Sequence, residues 1–239
     1  MKAYENVICI IPARAGSQGI IDKNIQLIHG IPLVAHSILH ALDAGLDPKN
    51  IYVSSDSNEI LDIARREGVV AQKRPASISG PESSTEEALL WTYRCHCSLL
   101  PEQACNHVLL LQPTSPIRFK NTVKQFLDFY LEHDYDSALT TTKFYNFFWK
   151  KGSPATSSYD PVNRPMRQNM NNDDDVTYFD NGNMYLTRVD VLQNKKCRLG
   201  DNVGIFPISE LEGMQIDTPE DLQIFRAIFS GKIPEKIGL

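Results

Sequence analysis

Short apolar runs alternate with amphipathic segments along the first half of the chain, and this alternation restricts the fold more than any other feature. Residues 7–11, 51–54 and 107–112 have the length and continuous apolar character of strands that are buried on both faces. Residues 31–42 repeat apolar side chains at intervals of three and four, as an amphipathic helix does. Strands that alternate with helices at these lengths predict an α/β domain with a mostly parallel sheet and helices on both faces.

Two further helices have start signals in the sequence. Asp56 followed by Glu59 has the spacing of a capping box, and Thr218 with Pro219 and Asp221 has the pattern of a capped first turn. The remaining predicted elements are strands at 69–71, 137–142, 183–187 and 203–207 and helices at about 85–100 and 119–132. These elements indicate one domain over residues 1–239.

Residues 144–175 interrupt this rhythm with neither helical nor alternating periodicity. The segment is rich in aromatic residues, proline, asparagine and aspartate. Long irregular segments inside compact domains are commonly functional loops or subunit contacts. We therefore predict an insertion that acts as a flap or as a contact between subunits.

The net charge, the length of the apolar stretches and the cysteine content bear on binding partners and on location. The 239 residues carry a formal net charge of -5, which on average attracts neither nucleic acid nor an anionic membrane. No apolar stretch approaches the roughly 20 residues that a membrane-spanning helix needs. Five cysteines, an odd number in a chain of this length, are consistent with reduced thiols and a cytoplasmic location.

A loop that follows the first apolar run, IPARAGSQGIIDKN at residues 11–24, combines glycine with positive charge. Gly16 and Gly19 can adopt positive φ angles that turn backbone amides inward, while Arg14 and Lys23 add a planar donor group and a mobile charge. The loop has neither the P-loop ending nor the dinucleotide-binding glycine spacing. On the glycines alone, a polyphosphate site and a charged surface turn both remain open.

The position of this loop adds to the polyphosphate interpretation. In open α/β sheets, ligands bind beyond the carboxyl ends of the strands. The loops that begin at Pro12, Ser54, Arg74 and Gln112 all follow predicted strands. We therefore expect them to share one cleft.

The glycine loop resembles the N-terminal signature of acylneuraminate cytidylyltransferases, commonly A-R-x-G-S-K-G-x-x-x-K-N. The matching residues are Ala13, Arg14, Gly16, Ser17, Gly19, Lys23 and Asn24, and Gln18 stands where the family usually has lysine. Further segments match in the family's order: VSSDS from Val53, RPASIS from Arg74, LLQPTSP from Leu110, MRQ from Met166, DNGNMY from Asp180 and IDTPEDL from Ile216. The resemblance implies a single Rossmann-like domain of the nucleotide-diphosphosugar transferase type.

The resemblance also implies roles for individual residues. The matched loop residues, together with Arg74 and Thr85, would bind the nucleotide. Gln112, Arg167, Asn181 and Tyr185 would bind the sugar acid. Asp217 would hold Mg²⁺, and Arg14, Lys23 and Asp217 would carry catalysis. Gln215 stands where many members have a second aspartate, and the acidic stretch 171–175 makes the loop after Arg167 longer than the family pattern.

The residues by themselves leave structural alternatives for several of these positions. Arg74 before a proline could be a solvated loop residue, and Thr85 or Asp217 could belong to the start of a helix. Asn181 with Gly182 could form a hairpin turn.

The implied reaction is attack of a nine-carbon 2-keto sugar acid on CTP, giving the CMP-sugar and pyrophosphate. The implied assembly is a homodimer to which residues 144–175 contribute. Sialic, legionaminic and pseudaminic acids all remain open as the sugar. The alternatives are a related nucleotidyltransferase for 3-deoxy-octulosonate or a sugar phosphate, and a catalytically silent nucleotide-binding homologue.

Two groups of histidine and cysteine side chains invite other interpretations. Cys95, His96 and Cys97 lack the spacing of structural zinc ligands, so we predict no zinc site there. His36 and His40 share a helix face without a general-base glutamate or a third ligand, and we predict ordinary exposed residues.

Overall fold

The computed structural model describes residues 4–17, 19–101, 105–166 and 176–230. The strands in chain order are β1 (Val7–Pro12), β2 (Leu27–Ile28), β3 (Ile31–Pro32), β4 (Ile51–Ser55), β5 (Val70–Lys73), β6 (His107–Leu111), β7 (Ser137–Phe144), β8 (Trp149–Lys150), β9 (Thr156–Ser157), β10 (Thr177–Arg188) and β11 (Val203–Pro207). The helices are α1 (Leu33–Asp43), α2 (Asn58–Arg66), α3 (Thr85–Leu99), α4 (Thr122–Leu131), α5 (Val189–Lys195) and α6 (Pro219–Ser230). Short 3-10 turns lie at Lys23–Ile25, Pro48–Asn50 and Ala76–Ile78.

Seven of these strands form one sheet in the order β11-β7-β10-β6-β1-β4-β5. Strand β1 has parallel neighbours on both sides, β4 and β6, while β10 runs antiparallel to β6 and β7. The predicted fold class, a mostly parallel α/β sheet with helices on both faces, is confirmed. Because the chain crosses from one side of β1 to the other, a crevice opens at the carboxyl ends of β1 and β6.

The continuous apolar character of β1 follows from burial on both faces. Cys9 and Ile11 face a cluster that α1, α2 and α4 cover, whereas Ile8 and Ile10 face a second cluster that α3 and α5 cover. A third cluster packs α6 against α1 and includes Phe225. The sheet therefore carries a helical layer on each side, which holds the strand ends rigidly in place.

Three details differ from the sequence prediction. Helix α5 was not predicted, and β10 is longer than 183–187, with a register shift between Asp180 and Tyr185. The N-cap of α2 is Ser57, whose hydroxyl accepts from the Ile60 amide at 3.4 Å. Asp56 cannot act as this cap because its carboxylate instead accepts from the Ala15 amide, at 2.9 Å.

The prediction that His36 and His40 are exposed is wrong. Both are buried, with His36 fully inaccessible and His40 8% exposed. Helix α6 covers this part of α1, and the His36 ring lies 5.7 Å from the ring centre of Phe229. The His36 Nε2 atom lies 3.1 Å from the Ile28 carbonyl oxygen, and burial lowers the pKa of His36 to about 4.

The described part of the insertion folds around a two-stranded hairpin, β8 with β9. Aromatic rings dominate its contacts: Phe144 stacks on Phe148 at 4.8 Å, and Phe147 lies 4.4 Å from Tyr159. Phe148 nevertheless remains 62% exposed. The end of the insertion, residues 167–175, lies outside the described ranges, and this part includes Arg167.

Two absences hold for the part of the chain that the structure describes. No helix there is long and apolar enough to cross a membrane. No group of three histidine, cysteine or acidic side chains there could hold a metal ion. All five cysteines are free thiols.

Candidate functional site

A cavity of about 360 Å³ opens at the carboxyl ends of β1 and β6. Its lining residues are Pro12, Arg14, Ser17, Gly19, Lys23, Asn24, Arg74, Pro81, Ser83, Ser84, Thr85, Gln112, Pro113, Thr114 and Asp217. The predicted cleft is confirmed for three of its four loops, those from Pro12, Arg74 and Gln112, whereas no residue of the loop from Ser54 is among the described lining residues. The loop after β4 contacts the glycine loop instead, because the Asp56 carboxylate accepts from the Ala15 amide.

Backbone and amide hydrogen bonds shape the glycine loop. The Ala13 amide donates to the Ser54 carbonyl at 3.0 Å, and the Asn24 side-chain amide donates to the Arg14 carbonyl at 2.9 Å. Ala13 is only 1% exposed, so its side chain belongs to the core. Ala13 therefore places the loop, while Arg14 and Asn24 line the cavity.

The two loop glycines do not act through positive φ angles, which corrects the sequence prediction. The described glycines with positive φ are Gly30, Gly45, Gly68 and Gly182. Gly19 is required by a close approach instead, because a Cβ atom there would lie 2.2 Å from the Asp217 carbonyl oxygen. A Cβ atom on Gly16 would meet nothing within 4 Å, and Gly16 is not among the lining residues.

Two guanidinium groups make the cavity positive. The Arg14 Nη1 atom donates to the Gly80 carbonyl at 2.6 Å, while Arg74 is only 5% exposed and its buried Nε atom has no hydrogen-bond partner. Burial lowers the pKa of Arg74, Asp56 opposes this shift, and the positive charge of Arg14 adds to it. Arg14, Arg74 and Lys23 all line the cavity, and this concentration of positive charge favours an anionic ligand.

The first turn of α3 borders the same cavity and carries two glutamates, Glu86 and Glu87. Ser84 caps this helix, accepting from the Glu87 amide at 3.1 Å, and Thr85 lines the cavity at the first helical position. The amino end of a helix favours anions. Sequence reasoning missed Pro81, Ser83 and Ser84 as lining residues, although a Pro- and Ser-containing loop before a helix start was a usable signal.

Asp217 is the one carboxylate among the described lining residues. Its Oδ1 atom accepts from the Lys23 ammonium at 3.0 Å, and the side chain is 60% exposed. Thr218 and Asp221, rather than Asp217, cap α6: the Thr218 hydroxyl accepts from the Asp221 amide at 3.2 Å, and the Asp221 Oδ2 atom accepts from the Thr218 amide at 2.8 Å. The Asp217 carboxylate is therefore free of a capping role and faces the cavity.

Gln215 is committed to a different contact. Its side-chain amide donates to the Asn181 carbonyl. Gly182, which has a φ of +66°, packs against the same amide so closely that a Cβ atom would lie 2.1 Å from Nε2. A carboxylate could not donate this hydrogen bond. The amide at position 215 thus holds the turn at Asn181 and Gly182.

The predicted sugar-binding residues separate into two groups. Gln112 lines the cavity, as expected from its place after β6. Asn181 does not belong to the described lining; its Oδ1 accepts from the Thr140 hydroxyl at 2.9 Å and its Nδ2 donates to the Thr142 hydroxyl at 3.0 Å. These bonds fix the bulge in β10. Arg167 lies outside the described residues, so its role stays a prediction.

Tyr185 is buried beside charged side chains and is not among the described lining residues of the cavity. Its hydroxyl donates to the Asp180 carboxylate at 2.6 Å, and burial is the main cause that raises its pKa. The Arg198 guanidinium lies 4.9 Å from the Tyr185 ring centre and donates to Glu86 at 2.7 Å. Sequence reasoning missed Arg198 and Glu86, because only tertiary contacts bring them to this place. Sugar binding by Asn181 and Tyr185 stays a prediction.

The sheet order and the cation-lined cavity at the carboxyl ends of its strands define a Rossmann-like α/β protein. A solved structure of CMP:2-keto-3-deoxy-manno-octonic acid synthetase complexed with CTP shares this fold, with a TM-score of 0.65 and 18% identity over 94% of this chain and 98% of that one. The sequence matches the family model described as cytidylyltransferase over residues 8–220. The chain belongs to the cytidylyltransferase family.

Two curated relatives are similar over about half of the chain. An N-acylneuraminate cytidylyltransferase of Streptococcus agalactiae serotype V is 36% identical over 135 residues, which are 56% of this chain and 31% of the relative. A pseudaminic acid cytidylyltransferase of Campylobacter jejuni is 34% identical over 138 residues, which are 57% of this chain and 58% of the relative. The matched part thus covers about a third of the first relative's length.

Proposed function

We propose that this protein transfers the cytidylyl group of CTP to the anomeric hydroxyl of a nine-carbon 2-keto sugar acid and releases pyrophosphate. The observation that carries the proposal is the cavity at the carboxyl ends of β1 and β6, which Arg14, Lys23 and Arg74 line together. The oxygen atoms of a polyphosphate would accept hydrogen bonds from these cationic groups. The ordered sequence matches and the names of the two curated relatives support the nucleotide and the class of sugar.

The reaction brings two anions together. The sugar hydroxyl passes its proton to solvent water, its oxygen forms a bond to the α-phosphorus, and the bond from that phosphorus to the bridging oxygen breaks as pyrophosphate leaves. Such a transfer depends on alignment and charge neutralisation more than on covalent catalysis. Arg14, Lys23, Arg74 and the amino end of α3 would neutralise the triphosphate, and the Gln112 amide would orient the sugar.

The cavity suits Mg²⁺ through one carboxylate. Magnesium in phosphate-transfer sites is commonly held by one or two carboxylates together with substrate phosphates and water. Asp217 is exposed at the cavity and would be the protein's ligand, while the side chain of Gln215 is bonded to Asn181. When bound, Mg²⁺ would add positive charge at the phosphate oxygens.

A substrate panel tests the proposal directly. Purified protein is incubated with each nucleoside triphosphate, with Mg²⁺ or with EDTA, and with sialic, legionaminic, pseudaminic or 3-deoxy-octulosonic acid or a hexose 1-phosphate. We expect pyrophosphate only with CTP, Mg²⁺ and at least one nine-carbon acid. Release with octulosonate or a sugar phosphate alone would favour a related transferase. Tight CTP binding with no release under any condition would favour a silent homologue.

A homodimer is the proposed assembly, and the hairpin β8–β9 would contribute to its interface. Phe148 and Trp149 on this hairpin are 62% and 56% exposed, and interface cores are enriched in such residues. Light scattering at micromolar concentration should give about twice the chain mass of 27.0 kDa. Trp149→Lys should shift the mass toward one chain, and a monomeric wild type would contradict the proposal.

A further inference from the structure

A fully buried arginine, Arg118, lies beneath the cavity. Its Nη2 atom donates to the carbonyl oxygens of Gln112, at 3.1 Å, and Asn183, at 3.2 Å. Its Nη1 atom donates to the Ser37 hydroxyl at 3.1 Å. The side chain has no exposed surface. Arg118 therefore joins the end of β6, the bulged strand β10 and helix α1.

The burial of this charge is expensive. Moving an ion out of water costs several kcal/mol even after relaxation, and an apolar side chain of similar size is often no less stable. The carboxylate whose negative charge acts on Arg118 is that of Glu212, which is also buried. It accepts hydrogen bonds from the Phe119 amide at 2.9 Å and the Thr122 hydroxyl at 2.7 Å. Packing alone thus does not explain a guanidinium at this position, whereas its bonds to carbonyl oxygens do.

Those bonds fix both backbone polar atoms of Gln112. The Gln112 amide donates to the Asn183 carbonyl at 3.2 Å, and its carbonyl accepts from Arg118. The Asn183 carbonyl accepts from both the Gln112 backbone amide and Arg118, so the backbone of Gln112, the Asn183 carbonyl and the Arg118 guanidinium are all bonded to one another. Pro113 follows directly and lines the cavity together with Gln112. The direction in which the Gln112 side chain leaves the strand therefore depends on Arg118.

A second contact extends this arrangement to the segment before α6. The Thr114 carbonyl, in the loop between Gln112 and Arg118, accepts from the Ile216 amide at 2.8 Å. The Asn183 side-chain amide also donates to the Glu212 carbonyl at 2.7 Å. The loop after β6 and the segment that carries Asp217 are thus held together next to Arg118.

We propose that Arg118 is a positioning residue that sets the orientation of Gln112 toward the sugar acid. The inference rests on the proposed function, because that function gives Gln112 its substrate. Arg118 has no place among the described lining residues, so it acts through Gln112 and not by contact with a ligand. Its loss should weaken use of the sugar acid far more than binding of CTP.

Steady-state kinetics separate this role from a structural one. Displacement of a positioned group by about 1 Å can cost about 100-fold in rate. We expect Arg118→Lys and Arg118→Met to lower kcat/KM for the sugar acid by about 10- to 100-fold, with the KM for CTP changed by less than about threefold. The control is Asn50→Ala, a buried residue before β4 at the opposite end of the strands, which should lower Tm without changing either KM. Arg118 variants that behave like this control would overturn the proposal.

A double-mutant cycle with Gln112→Ala tests whether Arg118 acts through Gln112. In the Gln112→Ala background, Arg118→Lys should have little further effect on kcat/KM for the sugar acid. Full additivity of the two losses would show that Arg118 acts by another route and would overturn the proposal. Arg118→Lys keeps the charge, so the cycle remains available if Arg118→Met does not fold.

Hydrogen exchange provides a measurement that does not depend on activity. Arg118→Lys should accelerate exchange of the Gln112 amide while the amides of β1 and β4 keep wild-type protection. Unchanged exchange at Gln112 would overturn the positioning role. If the wild type turns over none of the sugar acids, the proposed function fails on its own, and the exchange result still decides whether Arg118 holds Gln112.

Discussion

The Lys23 ammonium lies 3.0 Å from the Asp217 carboxylate and joins two segments that are 194 residues apart in the chain. The same ammonium donates to the Ile216 carbonyl at 2.9 Å. Together with the close approach of Gly19 to Asp217, these bonds make the glycine loop and the segment before α6 one site. Since Asp217 is 60% exposed, the ion pair itself stabilises the fold little, and its main effect concerns the site.

Replacement of Lys23 should affect turnover much more than stability. Lys23→Ala removes a positive charge from the cavity, and loss of one such electrostatic contact commonly costs about 100-fold or more in kcat. The unfolding free energy should fall by no more than about 2 kcal/mol, since Asp217 is 60% exposed but the Lys23 side chain is only 13% exposed and also donates to the Ile216 carbonyl. Pyrophosphate release and circular dichroism check the two expectations. Lys49→Ala, at the pair with Asp47, is the matched control, and near-normal turnover by Lys23→Ala would exclude Lys23 from the mechanism.

Arg74 should contribute to CTP binding at the expense of stability. Its guanidinium is buried beside Arg14, so Arg74→Met should leave Tm unchanged or raise it. Hydrogen bonds to charged groups are each worth about 1.5 to 3 kcal/mol, which predicts at least a tenfold weaker Kd for CTP by calorimetry. Arg65→Met on the exposed face of α2 serves as the control. An unchanged Kd in Arg74→Met would argue against nucleotide contact by Arg74.

Gln215→Glu tests the role of the side-chain amide at the position where many family members have a second aspartate. The variant loses the bond to the Asn181 carbonyl and places two acceptor oxygens against each other. In EDTA we expect the unfolding free energy to fall by about 1 to 3 kcal/mol. Gln72→Glu, whose amide donates to the Lys73 carbonyl on the exposed edge strand β5, should be nearly neutral. Equal stability of the wild type and Gln215→Glu would mean that the amide bond is dispensable.

His36 should make the fold less stable in mild acid. Its pKa is about 4 in the folded chain, against 6.5 for an unperturbed histidine side chain, with burial as the main cause. Between these values the unfolded chain binds more protons, so stability rises with pH across this window and is lost as the pH falls. We expect His36 to account for about 1 to 2 kcal/mol of the loss between pH 7 and pH 5.

Denaturant titrations of the wild type and His36→Gln at both pH values measure this contribution. The variant should depend less on pH but not become independent of it, because burial also lowers the pKa of His107. Parallel pH profiles of the two proteins would contradict the assignment to His36.

Local pattern was sufficient for most of the fold. Burial of β1 on both faces requires an apolar residue at every position, and this leaves a continuous run that is visible in the sequence. Helix α5 lacked such a signal because it is only seven residues long, and the length of β10 was hidden by the bulge near Asp180. The N-cap of α2 could not be read from spacing alone. Asp56 has the spacing of a capping box with Glu59, but its carboxylate accepts from the Ala15 amide and Ser57 caps the helix.

The sequence by itself determined the family segments, their order and the cationic residues of the site, because chemistry that is tied to one loop leaves a contiguous motif. Tertiary structure alone decided which of these residues meet and how they are used. Burial leaves the Arg74 Nε atom without an acceptor, the bulge in β10 uses the side chain of Asn181, and the Asn181 carbonyl engages Gln215. Arg118 became visible only in the fold, since the carbonyl groups that it binds come from strands far apart in the sequence.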